Sequence, residues 1–234
     1  MLVLAVSATS VATSRGDQPL SVYPAQSAGA RAASRPVVLV VSGEGGWRSF
    51  DDQLAMMLAG AGYWVGGIDS LRYFWKPQDD RAALAADVSL FADALIKAAG
   101  SRAGTRVVLV GYSFGADLAP WIAGAENKDP RIAALVMIGP DRVGSLEARV
   151  IEILGWTAKS HTFDTSRALA ELRSIPVLFV HGGKDEGSEA PALAASFAGR
   201  KTLSVVPGAS HHFGGHEAEF RQAVVEGLRQ ILEQ

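Results

Sequence analysis

Two stretches, Pro36-Val37-Val38-Leu39-Val40-Val41-Ser42-Gly43 and Arg106-Val107-Val108-Leu109-Val110-Gly111, carry unbroken apolar runs and then meet a glycine. A strand with one wet face alternates apolar and polar residues. A strand apolar at every position must be covered on both faces, which is the condition of a parallel sheet sandwiched between helices. Four more segments fit that frame: residues 63–69 (YWVGGID), 132–140 (IAALVMIGP), 175–182 (IPVLFVHG) and 202–208 (TLSVVPG). Between them lie stretches with helical spacing at 51–62, 80–100, 114–124 and 217–234. Strands alternating with helices of this length predict a doubly wound α/β domain with a mostly parallel central sheet. Hydrophobic residues make up 48% of the 234, enough to fill the core such a sheet needs.

The remaining segments are less regular. Residues 19–23 (PLSVY) read as a short edge strand, and 26–35 (QSAGARAASR) as a flexible connection. The stretch 141–174 has weak periodicity. Its first part, 142–156, has helical character, and the whole is either a partial lid over the sheet or a plain connection. The first residues, MLVLAVSATSVATS, are small and apolar, like the end of a signal-peptide core running into a cleavage zone, but without a basic start. Residues 1–17 are therefore expected to be a leader remnant or a disordered terminus, and 18–234 the folded domain. Export is the favoured expectation. The formal net charge is -2, so there is no basic field to hold a nucleic acid, and that partner class is not expected. With no cysteine, disulfides and thiolate metal sites are excluded.

Chemistry enters at Gly111-Tyr112-Ser113-Phe114-Gly115. This is G-x-S-x-G with a strand before it and a helix after it, the context of a nucleophile elbow. The turn is tight, so the residues two before and two after the serine must lack side chains. A serine needs a base, and the base needs an acid to orient it, in chain order serine, acid, histidine. Asp185 follows the strand at 175–182, with Glu186 beside it as the alternative. His211 follows the strand at 202–208, with His212 as its competitor. His181 and His161 are expected to pack or face solvent, and His216 to lie on the surface near a helix start. An oxyanion hole needs two backbone N–H groups. Phe114, after the nucleophile, supplies one. Glu44, in the glycine-rich loop Ser42-Gly43-Glu44-Gly45-Gly46-Trp47, supplies the other. The proposed chemistry needs no metal or cofactor.

The words SGEGGW, IDSLRYFW, GYSFGAD and PG…HHF, in this order, resemble the VirJ/AcvB family of bacterial virulence-associated α/β-hydrolases. The resemblance spans about residues 18–234. It implies an α/β-hydrolase fold, a periplasmic setting (a cytoplasmic one being the alternative), and site residues at Ser113, His211 and the Asp185 turn. One branch of the family is associated with hydrolysis of lysyl-phosphatidylglycerol and the other with type IV secretion. The expected activity is therefore serine-dependent cleavage of the aminoacyl ester of an aminoacylated phospholipid. A general carboxylesterase or thioesterase is one alternative. A non-catalytic periplasmic factor with a secretion-system partner is another.

A lysyl ester brings two ammonium groups close to the scissile carbonyl, so carboxylates are expected around it. Glu44, Asp69 at the end of the second strand, and Asp117, one helical turn after Ser113, are the candidates. Asp51 and Asp52 read more simply as charges at a helix N-terminus. Arg72-Tyr73-Phe74-Trp75-Lys76 sets aromatics between cations, a pattern suited to a peripheral membrane surface or to a structural cover. Tyr73 and Trp75, together with Trp47, are expected at the substrate side. Trp121 and Trp156 suit core packing, with a place in the apolar wall of the site as the alternative.

Overall fold

The computed structural model describes residues 9–11, 20–26, 35–75, 80–145, 162–172 and 174–233. One sheet of eight strands organises the chain. Its strands are β1 (Thr9–Val11), β2 (Leu20–Tyr23), β3 (Val37–Val41), β4 (Val65–Ile68), β5 (Val107–Tyr112), β6 (Ile132–Ile138), β9 (Val177–Gly182) and β10 (Lys201–Val206). The spatial order is β1-β2-β4-β3-β5-β6-β9-β10. From β4 to β10 all neighbours run parallel, while β2 joins β4, and β1 joins β2, antiparallel. The stretch 19–23 is thus a strand but not the outermost one. Thr9–Val11, inside the segment expected to be a leader remnant or disordered, pairs along its open edge.

The apolar runs divide by residue parity. Val37, Leu39, Val41, Val107 and Leu109 join one core with helices α3 (Arg81–Ala98), α4 (Phe114–Ala123) and α6 (Ala190–Ser196). Val38, Val40, Val108 and Val110 join the other core with α1 (Ser49–Gly60) and α7 (Glu217–Glu233). A strand's side chains alternate across the sheet, so an unbroken apolar run feeds both layers at once.

The short helix α2 (Ser70–Tyr73) follows β4. In the irregular stretch, β7 (Val143–Ser145) pairs antiparallel with β8 (Thr162–Asp164), and α5 (Thr165–Ala170) follows. The start of the 142–156 segment is therefore strand rather than helix. Residues 146–161, with Trp156 and His161, lie outside the described residues, as does Lys76. Trp121 stacks on Phe163 of β8, with ring centroids 5.2 Å apart, which accounts for it as packing.

Candidate active site

The turn between β5 and α4 forces its own sequence. Ser113 has φ 51° and ψ -119°, a conformation that is strained for any residue with a side chain. A Cβ on Gly111 would overlap the Gly115 carbonyl, and one on Gly115 would overlap the Val41 carbonyl. Both glycines are therefore steric requirements of the corner. The turn is tied down by Ser113 N–H donating to the Ile138 carbonyl (2.9 Å) and by the Ser113 carbonyl accepting from Ala116 N–H (2.8 Å).

Ser113 and His211 line one cavity of about 1010 Å³. Nδ1 of His211 lies 2.7 Å from Oδ2 of Asp185. A carboxylate can only accept, so Nδ1 carries the proton and Nε2 keeps its lone pair. Asp185 is buried, while its neighbour Glu186 is exposed. Nδ1 of His212 instead bonds the Tyr112 hydroxyl at 2.5 Å. The adjacent candidates are thereby separated by where their side chains point. Lys184 N–H donates to the Ala209 carbonyl (2.8 Å), tying the acid turn to the histidine turn.

Gly139, which the sequence reading did not single out, holds the same pair from the β6 side. It has φ +59°, and a Cβ there would stand 2.9 Å from His211 Cε1 and 3.5 Å from Asp185 Oδ2. Its turn is fixed from two directions. Gly139 N–H donates to the Val180 carbonyl (3.0 Å), and Asp141 N–H donates to Oδ1 of Asp117 (2.7 Å).

The glycine-rich loop after β3 meets Ser113 at Gly43, where a Cβ would sit 3.6 Å from the serine Cβ. Glu44, exposed, and Gly45 line the cavity beside it. Phe114 opens α4, and its ring stands edge-on to Phe74, with centroids 5.4 Å apart. Ser42 and Ser70 anchor the loop, another feature the sequence reading missed. Ser70 N–H donates to Ser42 Oγ (3.0 Å), and the Ser70 hydroxyl donates to the Gly43 carbonyl. Arg48 Nε–H donates to the Gly45 carbonyl at 2.8 Å.

Several expected substrate contacts lie elsewhere. Trp47 Nε1–H donates to Asp52 Oδ1 (2.8 Å) and to the Tyr23 hydroxyl (3.1 Å), while the indole covers Gly67, where any Cβ would overlap it. It pins the loop to β4 and is absent from the cavity wall. Tyr73 is buried with its hydroxyl on Asp87, because α3 supplies a carboxylate beneath it. Asp69 caps α2, accepting from Arg72 N–H at 3.1 Å, and stands against Gly46. Asp117 is buried under the Asp141 turn and does not line the cavity. Burial pushes its carboxyl up to about 8, reinforced by the charges of Asp141 and Glu44 and opposed by the Asp141 N–H bond. Trp75 is 70% exposed and also off the cavity wall. Conversely Asp51, read as a helix charge, is buried and lines the cavity. Among the described residues, no three His, Asp or Glu side chains gather as metal ligands.

A mostly parallel sheet with a serine elbow after a central strand and an acid and a histidine after later strands defines the α/β-hydrolase class. Residues 36–232 match the family described as bacterial virulence protein (VirJ), and the chain belongs to that family. No curated protein matches it. Solved structures match over nearly their whole lengths. Est1E from Butyrivibrio proteoclasticus is 17% identical with a TM-score of 0.64, covering 97% of this chain and 99% of that one. A dienelactone hydrolase from Anabaena variabilis is 19% identical with a TM-score of 0.64, covering 96% and 97%. The esterase domain of a Rhodothermus marinus protein is 14% identical with a TM-score of 0.63, covering 97% and 98%. At these identities the likeness is one of fold.

Proposed function

We propose that this protein is a serine hydrolase that cleaves the aminoacyl ester of an aminoacylated phosphatidylglycerol, with lysyl-phosphatidylglycerol as the first candidate. The observation that carries the hydrolase reading is the 2.7 Å contact of His211 Nδ1 with buried Asp185 Oδ2, in the cavity that Ser113 also lines. The Asp185 carboxylate holds the imidazole with Nε2 free to act as base. Nε2 takes the Ser113 hydroxyl proton as Oγ attacks the acyl carbonyl. The N–H groups of Phe114 and Glu44 stabilise the oxyanion. His211 then protonates the leaving glycerol oxygen. Water, activated by the same nitrogen, releases the amino acid from the acyl-enzyme.

The family resemblance and the carboxylates of Glu44 and Asp51 in the cavity wall support the aminoacyl preference. One observation favours a second reading, an esterase for uncharged acyl groups: Phe50, Leu54, Met57, Phe213 and Phe220 make much of the same wall apolar. On the first reading the enzyme meets its lipid at the periplasmic membrane surface.

The test incubates the protein and its Ser113→Ala variant with lysyl- and alanyl-phosphatidylglycerol vesicles and follows the products by mass spectrometry. Serine-dependent release of amino acid with the diacyl lipid left whole is the expected result. Fatty-acid release would move the enzyme to the lipases. Absence of any serine-dependent product from these lipids would sink the aminoacyl reading.

A further inference from the structure

Asp51 is the third residue of α1 and is only 2% exposed, yet it lines the cavity that contains Ser113 and His211. Its Oδ2 accepts from Arg48 N–H at 2.9 Å and caps the helix. Its Oδ1 is buried and has no hydrogen-bond partner among the described residues. No Lys, Arg or His among those residues forms an ion pair with it. Burial pushes the carboxyl up to about 6, opposed by the backbone N–H groups of Arg48 and of Asp51 itself and reinforced by the Asp52 and Asp69 charges.

Capping does not explain this residue. The back-bond from the Arg48 N–H needs one acceptor, which the amide oxygen of Asn or Gln supplies without burying a charge. The second oxygen is a buried acceptor awaiting a donor, and leaving such an atom unmade is unfavourable. A hydroxyl would satisfy the oxygen but not the charge. An ammonium does both.

We propose that Asp51 forms the ammonium subsite of this cavity, accepting through Oδ1 from an amino group on the acyl part of the substrate and selecting cationic over neutral acyl esters. The proposal rests on the serine-hydrolase reading and adds the residue that sets its substrate class.

The experiment compares p-nitrophenyl 6-aminohexanoate with p-nitrophenyl hexanoate, which differ only by an ammonium, and adds the lysine p-nitrophenyl ester. The readout is the ratio of kcat/KM, cationic over neutral, for the wild type, Asp51→Asn and Asp51→Ser. The Asn variant keeps an amide oxygen for Arg48 N–H and puts an amide NH₂ where the unpaired oxygen was. The Ser variant removes both carboxylate oxygens and with them the charge. The ratio should fall about tenfold or more in both, the loss expected for one charge-assisted hydrogen bond. A ratio that stays within about threefold of wild type overturns the subsite, as does a wild type with no cationic preference. Ser113→Ala is the separating control: hydrolysis that survives it overturns the hydrolase reading itself.

The same ratio carries a pH signature. Asp52, Asp69 and the Tyr112 phenol surround the carboxyl, and His211, His212 and Glu44 share the cavity. Groups that serve both esters cancel in the ratio. The wild-type ratio should fall as pH drops through the range where Asp51 protonates, and the Asp51→Asn ratio should stay flat. A flat wild-type ratio, or equal slopes in both proteins, counts against the assignment.

Discussion

Replacing Asp117 by asparagine should stabilise the protein, and by more at pH 8 than at pH 5. The carboxyl is 4% exposed and pushed by burial up to about 8, whereas an unfolded chain holds an aspartate near 3.8. Between those two values the folded protein binds a proton that the unfolded chain has released. Stability then falls as pH rises across that window, because folding must hold a proton the solvent would take. Each pH unit inside the window is worth about 1.4 kcal/mol at most. From pH 5 to pH 8 the penalty grows by roughly 3 kcal/mol, allowing for levelling near the upper end and for relaxation around the carboxylate. Asparagine keeps an amide oxygen for Asp141 N–H, whose bond to Oδ1 is 2.7 Å in the wild type, and has no proton to lose.

Urea unfolding of wild type and Asp117→Asn at pH 5, 6, 7 and 8 measures this. Asp51 also makes stability decline with pH, but only up to about 6, and it does so in both proteins. The quantity to follow is therefore the difference between the two at each pH. It should widen steadily in favour of the variant. A difference that is constant with pH, or that favours the wild type more at pH 8, would refute the argument that burial dominates this carboxyl.

Gly139→Ala should lower kcat by about a hundredfold while circular dichroism stays native, since a 1 Å displacement at a catalytic pair has that order of effect; the new Cβ would stand 2.9 Å from His211 Cε1 at a φ of +59°. His211→Ala should cost about 10³-fold or more in kcat, and His212→Ala far less, because only the former ring reaches Asp185; equal losses in steady-state assays would break the assignment. Ser70→Ala removes the hydroxyl that holds the Gly43 carbonyl. It should reduce kcat about tenfold with little change in KM, the pattern for an interaction made in the transition state, and a change confined to KM would contradict it.

What could be read from the sequence had a steric or periodic cause. The parity of the apolar runs places two cores, and the glycines at 111 and 115 are dictated by backbone overlap, so both are visible without coordinates. Choices between adjacent residues are not. Asp185 and Glu186 share a turn, as do His211 and His212, and only the direction of each side chain separates them. Partners distant in sequence also hide. Tyr73 looks like a surface aromatic beside Arg72 until α3 brings Asp87 to its hydroxyl, and Trp47 looks like a cavity wall until Gly67 proves to be the space it fills. Gly139 lies in no motif; its signal was a glycine directly after a buried strand, which also marks many ordinary turns.

The unfavourable features of the fold are not scattered. Ser113 holds a strained backbone, Asp51 a buried oxygen without a partner, and Asp117 a carboxyl driven upward by burial. All three sit at or beside the carboxyl ends of the parallel strands, where α/β sheets bind their ligands. The opposite end shows what this chain does with a buried acid when only stability is at stake. Asp129, just before β6, is 3% exposed, and burial alone would raise its carboxyl, yet it is lowered because Arg131 bonds it with Nη2 at 2.6 Å from Oδ2 and Nε at 2.9 Å from Oδ1. The chain thus pairs a buried carboxylate with a cation at one end of the sheet and leaves Asp51 and Asp117 without one, among the described residues, at the other. Asparagine would fill either position more comfortably. Retaining the acids costs stability, and strained or uncompensated groups persist where their chemistry is used. Of the two acids only Asp51 lines the cavity that Ser113 lines, and it is the physical reason to seek the substrate's positive charge there.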